Sequence, residues 1–388
     1  MLRERTPLAW RNVTENKLRL FASIAGTAFA VVLMFMETGF KQALLNGQVA
    51  LLDKLNCDIV LVSPSRAILA VPQPFPYRRL QQALAVPEVK SAVPFYIEAD
   101  QARWRSTTDH IPRRIRVLAF RLEDNVFEIP EVRDQLDKLK RPDTALADWR
   151  SKKIFYGPFT NLPESELAGR EIQIVGTFGL GADFQNNGNL IMSEENFFSL
   201  LPQRASDSLG ASGVDLGLVK LAPGANADSV RKCLDELLPE DVLVLTKADF
   251  MLRERDFWNS VTPVGIIFNI GVVMGFIVGV TICYQVLFSD ISDRLSEFAT
   301  LRAIGYSTRR LFVVVLEEAL ILAVLGYVIG LMVSAVLYWA VGSITGLPLV
   351  LQWQSSLFLF VLTALMCIVS GCIAVRKLFA ADPAELFR

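Results

Sequence analysis

Four stretches of this chain are apolar over the length of a lipid bilayer, and that fact limits it to helical membrane architectures. A hydrocarbon core of roughly 30 Å takes about 20 predominantly apolar residues, and with no water to bond the backbone only a helix or closed barrel can cross it. The runs are Leu18 to Thr38, Val261 to Phe288, Leu311 to Val341 and Leu357 to Val375. They do not account for the whole chain. Of 388 residues, 52% are hydrophobic and 20% charged, and the mean hydropathy is +0.38. That balance is too apolar for an ordinary soluble protein and too charged for one lying wholly in lipid, so spans plus a soluble domain are expected. The net charge of −1 gives no electrostatic footprint for nucleic acid.

The first run has a long apolar part and no small-residue cleavage site in the "ETGFKQALL" that follows, so it reads as an uncleaved anchor. Lys and Arg in the short flanks set the orientation. Arg3, Arg5, Arg11, Lys17 and Arg19 surround the start of the first span, Arg294, Arg302, Arg309 and Arg310 lie between the second and third, and Arg376, Lys377 and Arg388 follow the fourth. The loop "GSITGLPLVLQWQSS" has neither residue. Both termini and the Ser296 region are therefore expected in the cytoplasm, with the long insert on the other side.

That insert is long enough for its own core. "CDIVLVS", "RRIRVLAF", "REIQIVGTFG" and "VDLGLVKL" predict strands from their β-branched or alternating residues. "FPYRRLQQALAVPEV" predicts an amphipathic helix ended by Pro87. "NADSVRKCLDELLP" predicts another, with Val230, Leu234, Leu237 and Leu238 on one face and a stop at Pro239. The expected fold is thus an α-helical membrane protein with four transmembrane helices and a large mixed α/β domain between helices 1 and 2. The expected segments are an amphipathic N-terminus (1–17), spans at 18–40, 261–288, 311–341 and 357–375, the insert at 41–260, a charged cytoplasmic segment at 289–310 and a tail at 376–388. Within the insert, a base of 41–110 and 214–250 is expected to carry a projecting part at 111–213.

Catalytic signals are missing. No GxxxxGK[ST] loop occurs, so ATP hydrolysis of the P-loop kind is excluded for this chain. "GTFGLGADF" does not fit GxGxxG and reads as a turn. His110 is the one histidine, which removes Ser-His triads and multi-histidine metal sites, and no cofactor or metal ligand set is expected. Of five cysteines, Cys283, Cys367 and Cys372 lie in apolar runs and read as packing residues. A Cys57–Cys233 disulfide is left open by an extracytoplasmic insert. Glu194 and Glu195 read as a helix start behind Ser193 as N-cap, and Asp235 and Glu236 as a solvated face. Glu37 reads as interfacial at the outer edge of span one.

Three features inside or between the spans carry more. Gly271, Gly275 and Gly279 recur at four-residue steps, as do Gly326 and Gly330, a pattern that lets membrane helices approach closely within one chain or between two. Glu317 and Glu318 stand two turns into the third run, where a lipid-facing carboxylate is costly; they are either interfacial or turned toward a helix interface. "SEFATLRAIGYSTRR" places Leu295, Phe298, Leu301 and Ile304 on one helical stripe with Glu297, Arg302 and Arg309 off it, and Gly305 as a C-cap. On the residues alone, this helix either rests on the lipid surface or is gripped by a cytoplasmic partner.

The segment "SEFATLRAIGYSTRRLFVVVLEEALILAVLG" resembles that of FtsX-like, or MacB-type, ABC permeases. Glu297, Phe298, Arg302, Ala303, Ile304, Gly305, Ser307, Glu318 and Ala319 match its pattern. "AWRN" with Lys17 and Arg19 is similar to the family's N-terminal amphipathic helix, and "AADPAELFR" to its tail. "TPLAWRNVTENKLRLFASIAGTAFAVVLMFMETGFKQALL", "LNCDIVLVSP" and "VGTFGLGADFQNNGNLIMSEENF" resemble the cyanobacterial-type DevC subfamily. Cys57 departs from the small residue expected there, and the subfamily fold would not need a disulfide.

The resemblance implies the membrane subunit of a tripartite ABC exporter in a bacterial, cyanobacterial-type inner membrane. It implies a homodimer in the lipid bilayer, a separate DevA-like ATPase that uses ATP and Mg, a DevB-like periplasmic adaptor, a TolC-like duct and a glycolipid or other amphipathic substrate. It makes 289–310 a coupling helix, with Leu295, Glu297, Phe298, Leu301, Arg302, Ile304 and Gly305 as its contact residues. Two relatives by resemblance remain open as alternatives, a regulator of a periplasmic cell-wall hydrolase and a lipoprotein-extracting permease. A membrane enzyme is disfavoured by the missing motifs.

Overall fold

A computed structural model of the chain describes residues 17–66, 68–105, 111–157, 159, 164–204, 213–294, 300, 304, 308–345, 347 and 349–380. Among them are four helices long and apolar enough to cross a membrane: Lys17–Lys54, Pro263–Asp293, Thr308–Thr345 and Trp353–Ala380. All four run past the expected spans, the first by a further 14 residues beyond 40, because the amphipathic "KQALLNGQVALLDK" continues the helix with no Gly-Pro stop. The chain divides into two compact units. One is drawn from Met1–Ala43, Pro263–Gly342 and Leu349–Arg388, the other from Leu44–Thr262 with Ser343–Pro348.

The second unit is built on one 11-stranded sheet. In chain order its strands are β1 (Ile59–Val62), β3 (Val89–Glu98), β4 (Arg103–Arg105), β5 (Pro112–Arg114), β6 (Arg116–Phe120), β7 (Thr144–Asp148), β8 (Glu164–Leu167), β9 (Arg170–Phe178), β10 (Asn189–Ser193), β12 (Leu216–Leu221) and β13 (Leu243–Thr246). β2 (Phe75–Pro76) and β11 (Gly213–Val214) form a separate pair. The sheet order is β13-β1-β12-β3-β6-β10-β7-β9-β8-β4-β5. β6 with β10 and β7 with β9 are parallel, and the other pairs are antiparallel.

The expected base and projecting part are therefore not separate sheets. β3 of the former pairs with β6 of the latter through Tyr96–Ala119, Ile97–Leu118 and Glu98–Val117, and the ladder runs straight across the boundary. The reason lies in the period-2 alternation of the strands. In β1, Ile59 and Leu61 face one hydrophobic cluster while Val60 and Val62 face another; in β6, Val117 and Ala119 divide from Leu118 and Phe120 in the same way. Both faces of these central strands are covered, so their sequences read as unbroken apolar runs.

Local signals place the flanking helices. Asn226 caps Ala227–Leu237 by accepting from the N–H groups of Asp228 and Ser229, and Ser193 caps Glu194–Leu200 by accepting from Asn196. Val230, Leu234 and Leu238 are buried, but Leu237 is 49% exposed and leaves the expected stripe. Leu237 is the last residue of the helix and lies one-sixth of a turn from Leu234, at the edge of the buried stripe. The helix expected to end at Pro87 covers only Arg78–Ala83. Two expected strands are split, "RRIRVLAF" at Ile115 and "VDLGLVKL" at Asp215.

Candidate functional site

The coupling residues Leu295, Glu297, Phe298, Leu301, Arg302 and Gly305 lie outside the described residues, as do the N-terminal segment 1–16 and the tail from 381. Of the stripe, Ile304 is described. Its side chain is 72% exposed, and its backbone N–H donates to Thr300 O over 3.1 Å, an i to i−4 bond of helical type. At the end of the second long helix Arg294 pairs with Asp290 over 3.5 Å.

The five glycines that recur at four-residue steps all meet the first long helix of the same chain. A Cβ on Gly271 would run into the Glu37 carboxyl, on Gly275 into Met34, and on Gly279 into Ala30 and Met366. The partner numbers fall as the glycine numbers rise, the register of an antiparallel pair. Gly326 meets Thr27 and Ala28, and Gly330 meets Val31 and the Ala28 carbonyl, so here the numbers rise together and the pair is parallel. These close approaches replace the hydrophobic drive that lipid does not supply. Glu37, expected as interfacial, is half-buried against Gly271.

Polar side chains in the helices are tied to backbone carbonyls. Thr27 donates to Ser23 O, Ser334 to Gly330 O, Thr363 to Leu359 O and Tyr327 to Ser356 O. Glu317 and Glu318 part company: Glu317 is exposed, while Glu318 is 1% exposed in the interior of the helical unit. Cys283 and Cys367 are buried with their sulfurs 3.6 Å apart, and Cys372 is half-buried. Cys57 is buried and Cys233 exposed, both as free thiols, so the disulfide left open by the sequence does not form. Burial pushes the Cys57 thiol up to about 12.

The α/β unit contains two buried polar networks that the sequence reading missed. In the first, Arg66 donates from Nη1 to Asp215 O (3.0 Å) and from Nη2 to Asp215 Oδ1 (3.2 Å), and from Nε to Val71 O (3.0 Å). The second carboxylate oxygen of Asp215 accepts from Ile97 N (3.0 Å) and from Arg204, whose Nε lies 3.6 Å from Glu98. Arg66 and Asp215 are 1% and 0% exposed. Burial pushes the Asp215 carboxyl up, opposed by Arg66 and Arg204, and burial lowers the Arg66 guanidinium, opposed by Asp215. Glu254, accepting from Leu69 N and from Trp258 Nε1, is likewise raised by burial.

In the second network Arg116 donates to Asn189 Oδ1 (2.8 Å) and Asp183 Oδ2 (2.6 Å). Asn189 donates to Asp148, whose carboxylate also takes the N–H groups of Leu180 and Gly181. This is why "GTFGLGADF" ends β9 at Phe178 and continues as a loop: Asp148 holds the backbone of Leu180 and Gly181, and Gly181 stands at φ +105°. The signal that could have found both networks is a charged residue inside an apolar strand: Arg116 in "RRIRVLAF" and Asp215 in "VDLGLVKL".

Among the described residues no cluster of three metal-ligating side chains occurs. Two networks of paired charges without an acid-base or nucleophile pair can bind and brace, and they offer no group poised for covalent chemistry.

A comparison with curated proteins yields no match. Among solved structures, the chain is similar to the periplasmic region of MacB from Actinobacillus actinomycetemcomitans, at 11% identity and a TM-score of 0.34, over 50% of this chain and 90% of that one. It is also similar to the extracellular domain of the noncanonic ABC-type transporter YknZ from Gram-positive bacteria, at 14% identity and a TM-score of 0.33, over 49% of this chain and 100% of that one. The family described as FtsX-like permease C-terminal matches residues 269–383, less than a third of the chain but including nearly all of its last three long helices. With four helices long and apolar enough to span a membrane, the chain has the build of a multi-pass membrane protein, and its residues 269–383 are similar to the FtsX-like permease C-terminal family.

Proposed function

We propose that the chain is the permease subunit of a tripartite ABC exporter that passes ATP-driven motion to its α/β unit by mechanotransmission. The observation that carries this reading is the FtsX-like permease match over residues 269–383, which takes in the whole of the segment 289–310. A separate DevA-like ATPase uses ATP and Mg and grips the stripe Leu295, Phe298, Leu301 and Ile304. The exposure of Ile304 supports a surface free for such a partner. The helix Lys17–Lys54, unbroken over 38 residues, supports the lever. Two copies form the membrane dimer, a DevB-like adaptor docks on the α/β unit below a TolC-like duct, and a glycolipid or other amphipathic compound is exported. Such a device needs a stiff lever and a two-state interface rather than catalytic side chains.

The test is reconstitution with the cognate ATPase and adaptor, reading ATP hydrolysis. Leu301→Asp or Ile304→Asp places a charge in an apolar contact and is expected to cut adaptor-stimulated hydrolysis by about tenfold or more while the membrane dimer persists. Unchanged stimulation in both variants overturns the coupling assignment. Activation of a cell-wall hydrolase in place of an adaptor overturns the exporter reading.

A further inference from the structure

The α/β unit holds a partly open cavity of about 350 Å³, within the range of small-molecule sites. Its polar wall includes Gln48, Arg66, Arg114, Arg116 and Asn186, and its apolar wall Leu69 and Ile97. We propose that this cavity binds a small, soluble, uncharged ligand rich in hydroxyl or ether oxygens, of polyol or sugar chemistry.

Charge balance argues for an uncharged occupant. Every arginine at the cavity has its own carboxylate: Arg66 has Asp215 (3.2 Å), Arg116 has Asp183 (2.6 Å) and Arg114 has Asp100 (3.2 Å). Arg204 behind Arg66 is matched by Asp215 and Glu98. No excess positive charge is left to draw an anion out of water.

Hydrogen-bond balance argues for an oxygen-rich one. Gln48 is 5% exposed, and its Nε2 has no acceptor. A buried donor without a partner is unfavourable until something in the cavity accepts from it. A guanidinium carries five N–H donors; the bonds of Arg116 to Asn189 and Asp183 engage Nε and Nη1. Hydroxyl and ether oxygens supply acceptors without charge, and the carbon skeleton of a polyol suits the Leu69 and Ile97 side.

The wall is also preformed. Asp183 Oδ1 accepts the backbone N–H groups of Gln185 (2.8 Å) and Asn186 (2.7 Å) and the Asn186 side-chain amide (3.1 Å), fixing the "QNN" loop at the rim. Lys152 holds Asn187 by 2.7 Å. A site ordered before its ligand arrives loses less entropy on binding.

The experiment is calorimetric titration of the full chain in phosphatidylcholine nanodiscs free of sugar detergent, with trehalose and sucrose as uncharged probes and inorganic phosphate and citrate as anionic ones. At least one uncharged probe is expected to bind, and Gln48→Leu and Gln48→Glu to weaken it by about tenfold, with an unfolding midpoint no lower than that of the parent for Gln48→Leu. Should Gln48→Leu not fold, Gln48→Glu decides. Three results overturn the proposal: no uncharged probe binds, which leaves the cavity to water; phosphate or citrate binds more tightly; or a folded Gln48 variant binds as the parent does. None depends on ATP hydrolysis, so the exporter reading stands or falls separately.

Discussion

The α/β unit and the helical unit of this chain are held together by opposite means. In the α/β unit large apolar side chains close over both faces of a sheet. Trp104, Phe95, Phe120, Phe127 and Phe178 are all buried there, and water drives the closure. Its interior also tolerates charge, because Arg66, Arg204, Asp215 and Glu98 satisfy one another. In the helical unit the outward faces are apolar as well, with Ile266, Ile267, Ile270, Val273 and Ile277 exposed along the second long helix. Hydrophobicity cannot tell inside from outside when the solvent is lipid. The inside is marked instead by what is small: Gly271, Gly275 and Gly279 against Glu37, Met34 and Ala30. The lesson is that residue size carries in one unit the information that residue polarity carries in the other.

Three substitutions sharpen or break this contrast. The largest effect is expected at Asp215→Ala, which strands Arg66 and Arg204 in the interior. Losing one partner of a buried pair costs about 3–5 kcal/mol, so chemical denaturation of the full chain in nanodiscs should show the α/β transition at markedly lower denaturant. A shift under about 1 kcal/mol would mean the network is not structural. Next comes Gly330→Val. Its side chain meets Val31 and the Ala28 carbonyl, and overpacking costs about 1–3 kcal/mol. The thermal midpoint of the helical unit should fall while that of the α/β unit holds. An equal fall in both would break the separation of the two packing modes. The smallest is Arg105→Ala, which removes the half-exposed pair with Glu166 at 3.0 Å; double-mutant analysis with Glu166→Ala should return about 0.2–1 kcal/mol.

Much of the fold was legible because it rests on periodicity. The apolar runs announced four helices, "CDIVLVS" and "REIQIVGTFG" announced β1 and β9, and Ser193 stands as the cap that "SEEN" predicts. The candidate sites were less legible. The charge in "VDLGLVKL" marks Asp215 but not what it binds, because its partners Arg66, Ile97 and Arg204 are 149, 118 and 11 residues away. Gln48 sat in what reads as a plain amphipathic turn, and only a cavity assembled from loops around residues 66–72, 97–100 and 185–187 gives its amide a place.

The sequence by itself determined that this chain has four helices long and apolar enough to cross a membrane and a mixed α/β insert between the first two. Those properties depend on local composition and on the periods of 3.6 and 2, which neighbours along the chain fix. Only the tertiary structure decided three further matters. The glycine seams close within one chain, against the first helix. Glu318 is interior where Glu317 is exposed. The expected base and projecting part of the insert share one 11-stranded sheet. Each depends on which distant residue arrives at a given face, and that is settled by the packing of whole elements rather than by any window of sequence.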